Sequence, residues 1–81
     1  MKNLEKYREA FKEALEIDED KINESLEYQG VDSWDSVGHM ELVSELEDTF
    51  DIAMETDDII EFSSYKKGIE ILKKYGIEME I

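Results

Sequence analysis

Cysteine and proline are absent from the 81-residue chain, histidine occurs once, and glycine occurs only at positions 30, 38, 68 and 76. Without cysteine there is no disulfide framework and no thiolate metal site, and His39 alone cannot supply an imidazole cluster. The fold must therefore rest on the 41% of residues that are apolar. Basic residues are also scarce: 9 Lys and Arg face 23 Asp and Glu, for a net charge of −14. Such a field repels phosphate backbones, and no basic stripe reverses it locally, which excludes direct nucleic-acid binding. Long apolar runs are missing too, and Met1 to Lys6 is already charged, so no membrane span is expected and the chain reads as soluble and cytoplasmic. Sparse glycine and absent proline suit helices joined by short turns. One small all-helical bundle spanning residues 1–81 is expected.

The apolar residues that remain are periodic, which separates this acidic chain from a disordered one. Leu4, Tyr7, Phe11, Ala14 and Leu15 recur at helical spacing and predict a first helix over 3–16. From Ile17 to Ser33 the period is lost. Ile22, Leu26 and Tyr28 are apolar anchors in a loop whose length hints at function or at packing on the core. A second helix is expected over 36–50. At 100° per residue its core stripe holds His39, Leu42, Val43, Leu46 and Phe50. Glu41, Glu45 and Asp48 lie opposite, with Val37 and Ser44 beside them. Thr56 to Phe62 suits a short third helix with acids in its first turn. Ser64 can cap a fourth, with Tyr65, Ile69, Ile71 and Leu72 inward, Lys66, Lys67, Lys73 and Lys74 outward, and Gly76 as its stop.

The charge is segregated. Residues 22–65 contain 13 acids and no Lys or Arg, and they include all of the second and third helices. A charged face is commonly just a solvated one, but an uncompensated acidic helix also suits rapid encounter with basic partners.

Three chemistries are weighed against this pattern. Asp18 to Asn23 begins like a calcium loop, but Ile22, Asn23 and Gln29 stand where a ligand, the turn glycine and the closing acid are required. Asp35, Ser36 and His39 have the residue types of a hydrolytic triad. Crowded into one turn they cannot surround a substrate, His39 falls on the core side, and the chain is too short to build a pocket that excludes water. The protein is therefore not expected to be an enzyme. The Asp35-Ser36-Val37 sequence itself has two readings: either Asp35 or Ser36 caps the helix, or the hydroxyl at this helix start carries a phosphodiester favoured by the free amides and the positive dipole end.

The run from Val31 to Ile52, with Asp35-Ser36-Val37 leading into an acidic and aliphatic helix that closes on Glu47-Asp48-Thr49-Phe50, resembles the prosthetic-group region of acyl carrier proteins. The resemblance extends through Thr56 to Phe62 and the Ser63-Ser64 start of the last helix. It implies a small four-helix bundle of three longer helices and one short one, acting as a monomer. Ser36 is implied as the attachment point of 4′-phosphopantetheine, with Asp35 recognised alongside it. Val37, Met40, Glu41, Ser44, Glu45, Glu47 and Asp48 are implied as the partner-binding surface. Val37 stands in place of the family's leucine, Ser44 in place of an exposed apolar contact, and Glu55 where a proline often precedes the third helix. The implied partners are a Mg²⁺- and coenzyme A-dependent phosphopantetheinyl transferase, an acyl- or aminoacyl-loading enzyme, and an acyltransferase or ketosynthase with a basic docking surface. The thiol of the arm would carry acyl groups as thioesters for fatty acid, polyketide or dedicated acylation pathways, and the apolar helix faces would shelter an acyl chain between transfers. An aminoacyl carrier loaded by an ATP-dependent ligase and an unmodified acidic adaptor are the alternatives.

Overall fold

A computed structural model describes residues 2–79, so Met1, Glu80 and Ile81 of the expected domain lie outside the described residues. Four α-helices follow in order: α1 (Asn3–Leu15), α2 (Ser36–Phe50), α3 (Thr56–Glu61) and α4 (Tyr65–Lys74). The expected all-helical class and the three-plus-one helix pattern hold. Among the described residues no helix is long and apolar enough to cross a membrane.

Helix α1 ends one residue early because Glu16 turns left-handed, at φ 52° and ψ 49°. It buries Tyr7, Ala10, Phe11 and Leu15, while Leu4 and Ala14 are half-buried at its margins. The loop that follows contains one 3₁₀ turn (Glu19–Lys21) and is otherwise irregular. Its anchors work as the sequence suggests for Ile22 and Leu26, both buried, but Tyr28 stays at the surface. Backbone groups in such a loop need partners, and Arg8 on α1 provides two: it donates to the Ile22 carbonyl at 2.9 Å and to the Glu19 carbonyl at 3.4 Å. Further along, the Tyr28 amide donates to the Ser63 carbonyl and the Tyr65 amide to the Leu26 carbonyl, both at 2.9 Å, with an antiparallel bridge between Glu27 and Ser64. This clasp holds the loop against the junction of α3 and α4.

Helix α2 spans the expected residues and packs on α1. Leu42, Val43 and Leu46 are buried as the wheel predicts; Phe50 is only half-buried because the chain leaves the helix at Asp51, again in a left-handed conformation. Close packing at the other end depends on Gly38, where a Cβ atom would come within 1.9 Å of the Ser33 carbonyl oxygen. In α4 the inward face is the expected one. Ile71 and Gly68 join Tyr65 and Leu72 in the core, and Ile69 is half-buried. A second close glycine contact lies on this face, because a side chain at Gly68 would collide with the Tyr7 hydroxyl and the Phe62 ring. Gly76, at φ +85°, follows the helix as the expected stop.

The centre of the core is aromatic. Phe11 meets Tyr7, Trp34 and Tyr65 edge-on at centroid distances of 5.0, 5.4 and 5.5 Å, and Phe62 meets Trp34 at 6.1 Å. Such pairs contribute about 0.5–1.5 kcal/mol each beyond the area they bury. The Tyr7 hydroxyl donates to the Tyr65 carbonyl at 2.6 Å, and burial, aided by Tyr65, pushes its pKa well up.

Candidate functional site at the start of α2

The loop delivers Trp34 into the core and then surfaces as Asp35 and Ser36. Asp35 has extended backbone and takes the cap position: its Oδ1 accepts from the Gly38 amide at 2.9 Å, and its carbonyl accepts from the His39 amide at 2.8 Å. The choice the sequence leaves open is thereby settled, since Asp35 caps the helix and Ser36 does not. The Ser36 hydroxyl is exposed, with the Tyr28 hydroxyl 3.5 Å away. The Ser36 and Val37 amides have no acceptor among the described residues, as the first turn of a helix requires. They sit at the positive end of a 15-residue helix. An exposed hydroxyl, free amides and a favourable dipole fit a phosphodiester at Ser36.

His39 cannot serve Ser36 as a base. The Trp34 indole N–H can only donate, and it does so to His39 Nδ1 at 3.0 Å, which leaves the ring proton on Nε2 to be donated to the Ile59 carbonyl at 2.8 Å. Both nitrogens are engaged, and the ring links the loop, α2 and α3. The expectation of a core-side histidine holds in half-buried form. Among the described residues, no three His, Cys, Asp or Glu side chains are grouped to hold a metal ion.

Two grooves open at Ser36. One, of about 650 Å³, runs along α2 and is bordered by Glu13 and Ala14 of α1 and by Val37, Met40, Glu41, Ser44, Glu45 and Asp48. Six of the seven residues implied as the partner surface thus share one strip. Val37 and Met40 are 68% and 51% exposed, large fractions for apolar side chains. The seventh, Glu47, points elsewhere: its Oε2 accepts from the Met54 amide at 2.9 Å, holding the α2–α3 connection. The second groove, of about 390 Å³, lies between α2 and α3 and is lined by Tyr28, His39, Met40, Ile59, Ile60, Phe62 and Ser63.

The acids of the central block differ in how they are met. The ion pair found among the described residues is Lys74 to Asp58, 2.6 Å apart. Asp58 also accepts from the Tyr75 hydroxyl at 2.5 Å, and that hydroxyl accepts from the Glu55 amide at 2.9 Å. Lys74 and then Tyr75 hold the Asp58 carboxyl below its ordinary pKa, while Asp58 in turn raises the Lys74 ammonium. Among the described residues Glu41, Glu45 and Asp48 have no such partner.

Sequence reasoning missed Trp34 and Ile60. Trp34 lies in a segment without periodicity, and Ile60, one of the apolar residues of the short third helix, is 74% exposed on the groove rim. A six-residue helix is too short for spacing to separate its inner from its outer face.

Comparison with known proteins adds two findings. Residues 5–67 match the family model described as a phosphopantetheine attachment site. The chain is also 33% identical over 70 residues to an acyl carrier protein from Lactobacillus johnsonii, covering 86% of this chain and 88% of that one. No solved structure matches.

Proposed function

Because the chain belongs to the acyl carrier protein family, whose members carry covalent 4′-phosphopantetheine and are substrates of a transferase rather than enzymes, we propose that Ser36 is where the group is attached. The observation that carries this reading is the division of labour at α2: Asp35 caps the helix, leaving the Ser36 hydroxyl exposed beside two free amides. In the attachment step Ser36 Oγ bonds to phosphorus as the bridging P–O bond of coenzyme A breaks and the adenosine-bearing half leaves. The serine proton goes to a base of the transferase, since Asp35 and His39 are already engaged. Once attached, the group supplies a thiol that holds acyl cargo as a thioester. The Ser36 and Val37 amides would be the donors available to its phosphodiester.

The strip of Val37, Met40, Glu41, Ser44, Glu45 and Asp48 is the docking surface for the transferase and for loading and acyl-transfer enzymes with basic faces. Exposed charge accelerates encounter, and the modest apolar contact of Val37 and Met40 lets partners leave. The domain spans residues 1–81 and works as a cytoplasmic monomer. Incubation with a phosphopantetheinyl transferase, Mg²⁺ and coenzyme A tests the reading. The protein should gain the mass of one phosphopantetheinyl group, on the proteolytic peptide that contains Ser36. An unchanged mass, or a modified peptide without Ser36, would refute it.

A further inference from the structure

The groove between α2 and α3 starts at Ser36, and its floor is tied shut. The hydrogen bond from His39 Nε2 to the Ile59 carbonyl spans the seam between the two helices at 2.8 Å. Behind it the Trp34 ring lies nearly coplanar with His39, at an interplanar angle of 15°, and is joined to it at 3.0 Å. Trp34 and Phe11 are fully buried and Phe62 is 1% exposed, so the space beneath the seam is filled by rings in edge contact. The other groove at Ser36 has Ala14, Val37 and Met40 among its lining but is shallow, open and rimmed by Glu13, Glu41, Glu45 and Asp48, so an alkyl chain lying there stays largely in water.

We propose that Trp34 and His39 close the core to long acyl chains, so that the cargo of this carrier is a small acyl group, aminoacyl groups included, held outside in the groove between Tyr28 and Ile60. A long chain entering from Ser36 must part the His39–Ile59 bond, leave the indole N–H without its acceptor, and displace rings already packed at the density of a protein interior. A small cargo needs none of these changes. The expectation that the helix faces shelter a chain between transfers is therefore replaced, for this protein, by exclusion. Trp34 and His39 act as positioning residues that set cargo length without touching the thioester.

The inference rests on the carrier reading of Ser36, and the test separates the two. Acetyl and octanoyl forms are made with the transferase and the corresponding acyl-coenzyme A, and loading is verified by intact mass. Failure to load at Ser36 refutes the carrier reading. Once both forms are loaded, their melting midpoints should agree within about 1 °C, and the single indole N–H resonance, that of Trp34, should be the same in both. A buried octanoyl chain would raise the midpoint by more than about 4 °C and move the indole signal, overturning the inference. The His39→Ala variant should show a higher midpoint in its octanoyl than in its acetyl form, because the seam is no longer tied. Equal midpoints in that variant would overturn the role given to His39. Trp34→Phe, which keeps a ring but removes the donor, is read the same way and serves where His39→Ala does not fold.

Discussion

Two helices of this protein begin at a serine, and the serines do opposite work. At α4, Ser64 is itself the cap: its hydroxyl accepts from the Lys67 amide at 3.0 Å. At α2 the cap has moved one residue back to Asp35, and Ser36 occupies the first helical position with its hydroxyl unclaimed by the helix. The surroundings differ in the same sense. Ser36 opens onto a groove that runs along α2 past Glu41 to Asp48, whereas the turn after Ser64 carries Lys66 and Lys67. An Asp-Ser pair is therefore a physical device: the aspartate relieves the serine of a structural duty so that the serine can be modified without loosening the helix.

The sharpest way to break this comparison is to exchange the losses. Ser36→Ala should abolish incorporation of phosphopantetheine and leave the melting midpoint nearly unchanged. Ser64→Ala should incorporate it fully but lose about 1 kcal/mol of stability with its cap. Mass and thermal melts on the two variants read both quantities. Modification of Ser36→Ala at the wild-type level would end the distinction.

Charge gives the next largest effect. Reversing Glu41 and Asp48 to Lys gives the exposed strip of α2 the basic character of α4. The rate of transferase loading should fall about tenfold or more at low salt, with the gap narrowing as salt is raised. Equal rates at every ionic strength would place docking on another face.

Both helix starts also contain a glycine at which a side chain does not fit. Gly38→Ala drives a methyl into the Ser33 carbonyl, which belongs to the backbone and has no rotamer to escape into. Gly68→Ala meets the Tyr7 hydroxyl and the Phe62 ring. Each should cost about 1–3 kcal/mol in denaturant titrations. Gly38→Ala should also slow modification, because the Ser33-to-Ser36 approach must shift, while Gly68→Ala should leave the rate intact.

A third helix start provides the mildest contrast. Glu55, preceding α3, makes no side-chain cap, and the helix is fixed instead by Asp58 through Lys74 and Tyr75. The Asp58 pKa is lowered in the fold, so its stabilising share is complete above the unfolded carboxylate value of about 3.9 and disappears as pH falls through the lower folded value. Asp58→Asn should therefore melt below wild type at neutral pH, and the two curves should converge in acid. Parallel curves down to low pH would show that the pair does not couple to folding.

Much of this was legible in the sequence for a physical reason. Apolar periodicity over 15 residues fixes a long helix, so α2 was located residue by residue. Where no period exists, only burial could reveal a role, and Trp34 stayed hidden until the loop was seen to deliver it inward. Glu47 was misplaced for a different reason. It belongs to the acidic pattern of α2, but a backbone amide seven residues ahead claims its carboxylate, and such a contact leaves no mark on a helical wheel. The close approach of Tyr7 and Phe62 to α4 at Gly68 is likewise invisible in the apolar pattern, because a glycine marks no face of a helical wheel.

The clasp between residues 26–28 and 63–65 has a consequence for motion. A surface loop held only by its own turns exchanges its amide hydrogens through small local openings. Here the Tyr28 and Tyr65 amides are bonded across the chain, to Ser63 and Leu26 respectively, so neither can be released while the α3–α4 junction stays docked. The segment leading to Ser36 is then part of the same cooperative unit as the helices, and its amide exchange should follow global unfolding rather than loop fluctuation. However freely a swinging arm moves, its anchor stays fixed in place.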